Sequence, residues 1–143
     1  MAVGNTFGAT ALSSYGGFWI AYGSLFHPDW NIFSSNEMAQ GEYAVIYTPE
    51  DRFSAVGFFL TGWFIFTTLL VLCTLKSTVM FFMLFFTLDL AFLFLACENY
   101  AGSLGNETAQ IALQKTGGVF GMFAAFLAWY NALAGIQDNR YVP

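Results

Sequence analysis

One charged residue, Asp89, lies well inside a long apolar run of this 143-residue chain. If that run crosses a membrane, a carboxylate at its centre costs at least ~2.5 kcal/mol, so the side chain is expected to face protein or water. A carboxyl group there could also gain and lose a proton. Glu98 and Asn99 close the same run and could steer a solute, although the sequence favours a solvated helix end for both. Asp89, Glu98 and Asn99 therefore form a possible proton or polar site.

The remaining reactive side chains do not form the pattern of an enzyme or of a metal site. Histidine occurs once, as His27, which is too few for a histidine-based metal cluster, and no Ser–His–Asp pattern is present. Cys73 and Cys97 each lie within an apolar run, which favours small buried side chains over a disulfide or a metal site. We therefore expect no enzyme activity, no catalytic residue, no cofactor and no metal.

The cationic residues are few, and they are scattered along the chain. Proteins that bind nucleic acids cluster their Lys and Arg side chains on one surface. Here the formal net charge is −5, and four cations are spread over the sequence: Arg52, Lys76, Lys115 and Arg140. Nucleic acid is therefore not expected as a partner.

The composition indicates a protein that is embedded in a lipid bilayer. Hydrophobic residues make up 57% of the chain and charged residues only 9%, whereas soluble domains average roughly 25% charged residues. With 18 phenylalanines, a water-exposed surface would carry apolar patches large enough to cause aggregation. A lipid bilayer is therefore expected to cover much of the surface.

The apolar runs predict an all-α integral membrane bundle of about four transmembrane helices, because about 20 apolar residues cross a bilayer. Small residues in the first run favour close helix packing, and only a few residues separate the second run from the third, which predicts an antiparallel hairpin. Residues 27–54 are polar and are predicted to form an extramembrane loop. Residues 1–143 form one transmembrane domain in this interpretation, with spans at 7–26, 55–75, 79–96 and 117–134.

Four sequence motifs resemble the acetate uptake transporter family, also called the succinate–acetate permease family. The first is NTFGATALSSYGGFW at residues 5–19, followed by GFFLTGWFIFT at 57–67, LCTLKSTV at 72–79 and AAFLAWYNALAG at 124–135. Together they cover nearly the whole chain, and they are most similar to the fungal members.

The resemblance implies a transporter of acetate and related short monocarboxylates, either proton-linked or channel-like, in the plasma membrane. Family members have six helices and assemble as hexamers, so a homo-hexamer is implied. Their asparagine-proline-alanine-proline motif, in the first helix, does not occur here. The four spans would then be the last four helices of the family, in a fragment or a truncated gene product. The alternative is a truncated, non-conducting assembly or interaction subunit of a membrane transporter.

The resemblance also assigns residues to the substrate pathway. Tyr15 and Leu88 would line the narrow hydrophobic constriction of the family, and Thr10, Ser14 and Trp19 would lie nearby as further contacts. A tyrosine suits such a passage, because its hydroxyl can donate to a carboxylate while its ring excludes water.

Two further expectations follow from the resemblance. Cytoplasmic termini would place Lys76 and Arg140 inside the cell and the acidic loop outside. The family is expected to carry a small or apolar residue where this chain has Asp89, so Asp89 departs from the family pattern. Its role in proton coupling is therefore an open interpretation beside ordinary packing.

Overall fold

The computed structural model describes residues 6–27, 30 and 48–137, and these residues form helices connected by turns. The helices are α1 (Thr6–Leu25), α2 (Pro49–Thr74), α3 (Val79–Ser103) and α4 (Glu107–Gln137). The described residues contain no β-strand, which confirms the predicted all-α class. The chain divides into two compact units, Met1–Thr48 with α1 and Pro49–Pro143 with the other three helices.

Three of the helices are long and apolar enough to cross a membrane: residues 50–74, 79–103 and 107–137. The 25 residues of α3, for example, span about 37 Å at a rise of 1.5 Å per residue, which exceeds the ~30 Å of a bilayer core. The helix predicted at 7–26 is present as α1, but it is not among these three. A membrane crossing by α1 stays a prediction.

The helices of the second unit are longer than the predicted spans. Helix α3 continues past residue 96 to Ser103, and α4 begins at Glu107 instead of near residue 117. The polar stretch between the third and fourth spans is therefore mostly helical. Of the predicted loop 27–54, residues 28–29 and 31–47 lie outside the described residues, and residues 49–54 belong to α2.

Local sequence signals explain where α2 and α3 begin. Helix α2 begins at Pro49, a position that suits proline because its nitrogen carries no hydrogen to donate. Glu50 and Asp51 in the first turn complement the positive end of the helix dipole. Helix α3 is capped by Thr78, whose hydroxyl accepts a hydrogen bond from the backbone N–H of Phe81, which satisfies one of the free donors at a helix start.

A three-residue turn, Leu104 to Asn106, connects α3 to α4. Gly105 has φ +70°, a left-handed conformation that glycine adopts without the steric cost of a side chain. The backbone N–H of Asn106 returns to the carbonyl of Ala101 at 2.9 Å, which closes α3 in the manner of a Schellman motif. The side chain of Asn106 then accepts from the N–H of Ala109 at 3.1 Å, so one residue ends one helix and caps the next.

Helix α3 is the central helix of the second unit, because it packs against both α2 and α4. On the α4 side, the rings of Phe94 and Phe120 stack with centroids 5.4 Å apart. Gly117 lies against Leu95 so closely that a Cβ at Gly117 would be 2.9 Å from Leu95 Cγ. Small residues at helix contacts of this kind are typical of membrane proteins, where association depends on close backbone approach.

Candidate functional site

Asp89 lies between α3 and α2, where its carboxyl group contacts the hydroxyl of Thr68. Thr68 Oγ1 is 3.0 Å from Asp89 Oδ1 and 3.2 Å from Oδ2. The Asp89 side chain is 9% exposed, so it faces protein, as the sequence predicted for a charge inside a span. What it does there stays a prediction.

The hydroxyl of Thr68 has more acceptors around it than it has hydrogens. Besides the two carboxyl oxygens of Asp89, the carbonyl of Phe64 lies 3.0 Å from Thr68 Oγ1. A threonine hydroxyl donates one hydrogen and accepts through two lone pairs. Thr68 can therefore donate to an ionised Asp89, or it can accept from a protonated Asp89 while it donates to Phe64. The contact survives in either protonation state.

A second polar contact between α2 and α3 joins Thr61 to Tyr100. Their side-chain oxygens are 2.8 Å apart, and Thr61 Oγ1 also donates to the carbonyl of Gly57 at 2.8 Å. Because Thr61 has a single hydroxyl hydrogen, the tyrosine is the donor when both bonds form. The ring of Tyr100 fits against Gly57, where a Cβ would lie 2.8 Å from Tyr100 Cε1.

These contacts make the α2–α3 interface polar at two levels. Thr61 and Thr68 are seven residues apart on α2, which places them on the same side of the helix, two turns from each other. Thr67 and Thr74 are also on this helix and are 0% and 2% exposed. A threonine can lie inside a spanning helix because its hydroxyl bonds back to a carbonyl one turn earlier, as Thr74 does with Val71 at 2.8 Å.

Glu98 and Asn99 form a separate polar cluster on the side of α3 that faces α4. Asn99 Nδ2 donates to Glu98 Oε2 at 2.8 Å, and Gln110 Nε2 of α4 donates to Glu98 Oε1 at 3.2 Å. The two residues of α3 are 8% and 7% exposed. The expectation of a solvated helix end was therefore wrong, because α3 continues beyond them and α4 supplies a partner.

The residues assigned to the substrate pathway lie in two different units. Thr10, Ser14, Tyr15 and Trp19 are on α1, and Leu88 is on α3, next to Asp89 in the sequence. On α1, Thr10 is exposed and Trp19 is 66% exposed, whereas Ser14 and Tyr15 are half-buried. By helix geometry these four side chains cover about half of the circumference of α1 and not one narrow stripe. Their joint role with Leu88 stays a prediction.

Sequence reasoning missed two partners of the buried acids, Thr68 and Gln110, and it missed the pair formed by Thr61 and Tyr100. Each is a polar residue in or beside an apolar run, and Thr61 and Thr68 follow at a seven-residue interval. That interval was the signal available. Two hydroxyl groups spaced two turns apart on one helix face indicate a polar helix–helix interface when the neighbouring helix also carries polar residues.

The cysteines lie away from these clusters. Both thiols are free, and Cys73 is exposed whereas Cys97 is half-buried. The prediction that both are buried was wrong for Cys73, whose side chain is exposed. Within residues 6–27, 30 and 48–137, no three His, Cys, Asp or Glu side chains come together as a metal site would require.

Long apolar helices that bury carboxyl and hydroxyl groups between them define an integral membrane protein of the helical class. Comparison with known proteins narrows this class. The sequence model of the family described as "GPR1/FUN34/yaaH family" matches residues 1–142, and the chain belongs to that family. This finding confirms the resemblance that the four motifs carry.

Several curated relatives are similar over almost the whole chain. Acetate permease A of Emericella nidulans is 52% identical over 140 residues, which cover 97% of this chain and 45% of that relative. Accumulation of dyads protein 2 of Saccharomyces cerevisiae is 44% identical, and ammonia transport outward protein 2 of the same yeast is 41% identical; each match covers 99% of this chain and 45% of the relative. The chain thus spans less than half the length of these relatives. No solved structure matches it.

Proposed function

We propose that the chain takes part in the transport of acetate and related short monocarboxylates across a membrane, most simply the plasma membrane. The observation that carries this proposal is the 52% identity to acetate permease A over 97% of the chain. Three helices that are long and apolar enough to cross a membrane support the proposal, as do the polar groups buried between them. In this proposal residues 1–143 form one transmembrane domain. Helix α1 also crosses the membrane, which brings the number of spans to four.

Tyr15 and Leu88 are proposed to line the narrowest part of the pathway, with Thr10, Ser14 and Trp19 nearby. A half-buried tyrosine on α1 can donate its hydroxyl hydrogen to a carboxylate oxygen, and hydrogen bonds to charged groups contribute about 1.5–3 kcal/mol. The leucine would exclude water beside it. Assembly as a homo-hexamer, each protomer with its own pathway, completes the proposal.

A direct test is the uptake of labelled acetate by cells that lack their own acetate carriers and express this chain. We expect uptake that Tyr15→Ala abolishes. Tyr15→Phe, which keeps the ring, should weaken the apparent affinity for acetate about tenfold or more, because one hydrogen bond to a charged oxygen is lost. Leu12→Ala is the matched control, since Leu12 is on the same helix and is 77% exposed.

The outcome that contradicts the transport proposal is a chain that reaches the membrane and moves no acetate. The non-conducting assembly subunit then becomes the better hypothesis, and it predicts association with a full-length relative. Because one relative is named for ammonia transport, ammonia release from the same cells is measured in parallel. Release without acetate uptake would replace the carboxylate with ammonia as the proposed cargo.

A further inference from the structure

We propose that Asp89 and Thr68 form a proton-binding site at the α2–α3 interface, and that this site makes transport depend on protons. The inference rests on the proposed function, because it assigns a residue pair to the proton-linked form of that transport. Its basis is the geometry of the pair: a buried carboxyl group in the middle third of a spanning helix, within hydrogen-bond distance of one hydroxyl on the neighbouring helix.

The pair can bind a proton because the Thr68 hydroxyl has one hydrogen and several acceptor oxygens around it. Three acceptor oxygens, two of Asp89 and one of Phe64, lie within 3.2 Å of a hydroxyl with one hydrogen. When Asp89 is ionised, Thr68 donates to it and leaves the Phe64 carbonyl to its backbone partner. When Asp89 binds a proton, it donates to Thr68, and Thr68 turns its own hydrogen to Phe64. Asp89 and Thr68 therefore stay hydrogen-bonded whether the proton is bound or lost, and only the direction of their bond and the acceptor of the Thr68 hydrogen change.

The position of Asp89 suits a proton that crosses a membrane. Ten residues of α3 precede it and fourteen follow it, which is about 15 Å and about 21 Å of helix on its two sides. Hydrocarbon at that depth supplies no hydrogen-bond partner. A carboxyl group there can hold a proton midway across the membrane. Thr68 supplies a hydrogen-bond partner in both the ionised and the protonated state of Asp89.

The charged groups of the neighbouring helices do not pair with Asp89. Among the described residues, the polar side chain that contacts its carboxyl group is Thr68. The other titratable groups of the three packed helices lie toward the helix ends or in the separate cluster on the α4 side of α3: Glu50, Asp51, Arg52 and Cys73 of α2, Cys97, Glu98 and Tyr100 of α3, and Glu107, Lys115 and Tyr130 of α4. The bound proton, and not a neighbouring cation, therefore neutralises this carboxyl group.

Proton binding at this pair would also change the contact between two helices. The hydrogen bond between Asp89 and Thr68 reverses its direction when the proton binds, and a neutral pair replaces a charged one. Hydrogen bonds to charged groups are shorter and stronger than neutral ones. The strength of this contact between α2 and α3 therefore differs between the two states, which is a property that a transport cycle can use to sense a bound proton.

The test is infrared difference spectroscopy of the full chain in phosphatidylcholine vesicles, recorded between about pH 4 and pH 8. We expect a carbonyl band of a protonated carboxyl group that disappears as the pH rises and is absent from Asp89→Asn. Thr68→Val should move this band, because the hydrogen bond is lost. Thr87→Val should not, since the hydroxyl of Thr87 bonds back to its own helix at Met83 and Leu84.

Three spectroscopic outcomes overturn the inference: no titrating band, a band retained in Asp89→Asn, or a band that Glu98→Gln removes instead. None of them bears on whether acetate is carried. Uptake separates the two questions. Wild-type uptake should rise with acidity by up to about tenfold per pH unit, following the proton concentration, whereas Asp89→Asn should carry acetate with a flat pH profile. A titrating Asp89 band without any uptake would reject the proposed function and leave the proton site standing.

Discussion

Gly117 and Gly118 are neighbours on α4, yet a methyl group added to each would meet different surroundings. At Gly117 the new Cβ would lie 2.9 Å from Leu95 Cγ, 3.0 Å from Leu95 Cδ2 and 3.3 Å from the backbone nitrogen of Leu95. At Gly118 nothing lies within 4 Å. We therefore predict that Gly117→Ala destabilises the contact between α3 and α4, and that Gly118→Ala does not.

The expected size follows from these distances. The side chain of Leu95 can rotate away, but its backbone nitrogen belongs to α3, so the two helices must also move apart. Overfilling a packed contact in this way costs about 1–3 kcal/mol. Replacing a helical glycine by alanine also stabilises a helix by roughly 0.5–1 kcal/mol, and this gain is the same at both positions. Gly117→Ala should therefore be about 1–3 kcal/mol less stable than Gly118→Ala.

The assay is reversible unfolding of the purified chain in mixed micelles, with the free energy of unfolding taken from the denaturing-detergent midpoint and slope. Adding Leu95→Ala to Gly117→Ala should recover part of the loss, because the shortened side chain leaves room for the new methyl group. Equal stabilities for the two single variants would refute the argument that the α3–α4 contact depends on the missing side chain at Gly117.

Three further contacts give predictions that the same unfolding assay can check. Thr61→Val and Tyr100→Phe should each destabilise the chain, and their double-mutant coupling should be about 0.6 kcal/mol, as for other hydrogen bonds between membrane helices; additive effects would contradict the bond. Gln110→Ala should cost about 1–3 kcal/mol because it leaves a buried carboxylate oxygen unpaired, whereas Gln114→Ala, at an exposed site on the same helix, should be neutral. Thr78→Ala should cost about 1 kcal/mol through loss of the α3 cap, and an unchanged stability would show that the cap contributes nothing.

The helices could be predicted from the sequence because apolar runs of bilayer length leave few alternatives. Helix α3 begins at Val79, where the apolar run was predicted to begin, and Thr78 marks that start. The far end of α3 was missed because Glu98 and Asn99 suggested a boundary. Polar residues end a predicted span only when they lack partners, and here Gln110 supplies one from the next helix.

For helix α1, the sequence predicted the helix itself well, but its hydropathy does not identify a membrane span. Its helical conformation was predicted correctly at almost the observed bounds, although glycines, serines and threonines occupy much of its length. The same small and polar residues lower its hydropathy, so composition alone does not identify it as a spanning helix. Packing partners decide whether such a helix lies in lipid, and a single sequence does not contain them.

The sequence predicted one of the two residues of the candidate site. A lone carboxyl group in an apolar run is easily recognised, and the demand that Asp89 face protein follows from the cost of exposing it to hydrocarbon. Its partner Thr68 could not be named, because that requires the register of α2 against α3. Register depends on side-chain fit along the whole contact, including the place where Tyr100 covers Gly57.

The short turn at Leu104 to Asn106 has a consequence for how the chain enters the bilayer. Because three residues connect α3 to α4, the two helices form a hairpin whose arms cannot lie far apart in the membrane. Glu98 and Gln110 lie near the closed end of this hairpin, so a hairpin that enters the bilayer as one unit would carry the carboxyl group together with its amide donor. Insertion as one unit would avoid moving an unpaired acid into hydrocarbon, and we expect a longer flexible linker at Gly105 to slow insertion of the hairpin.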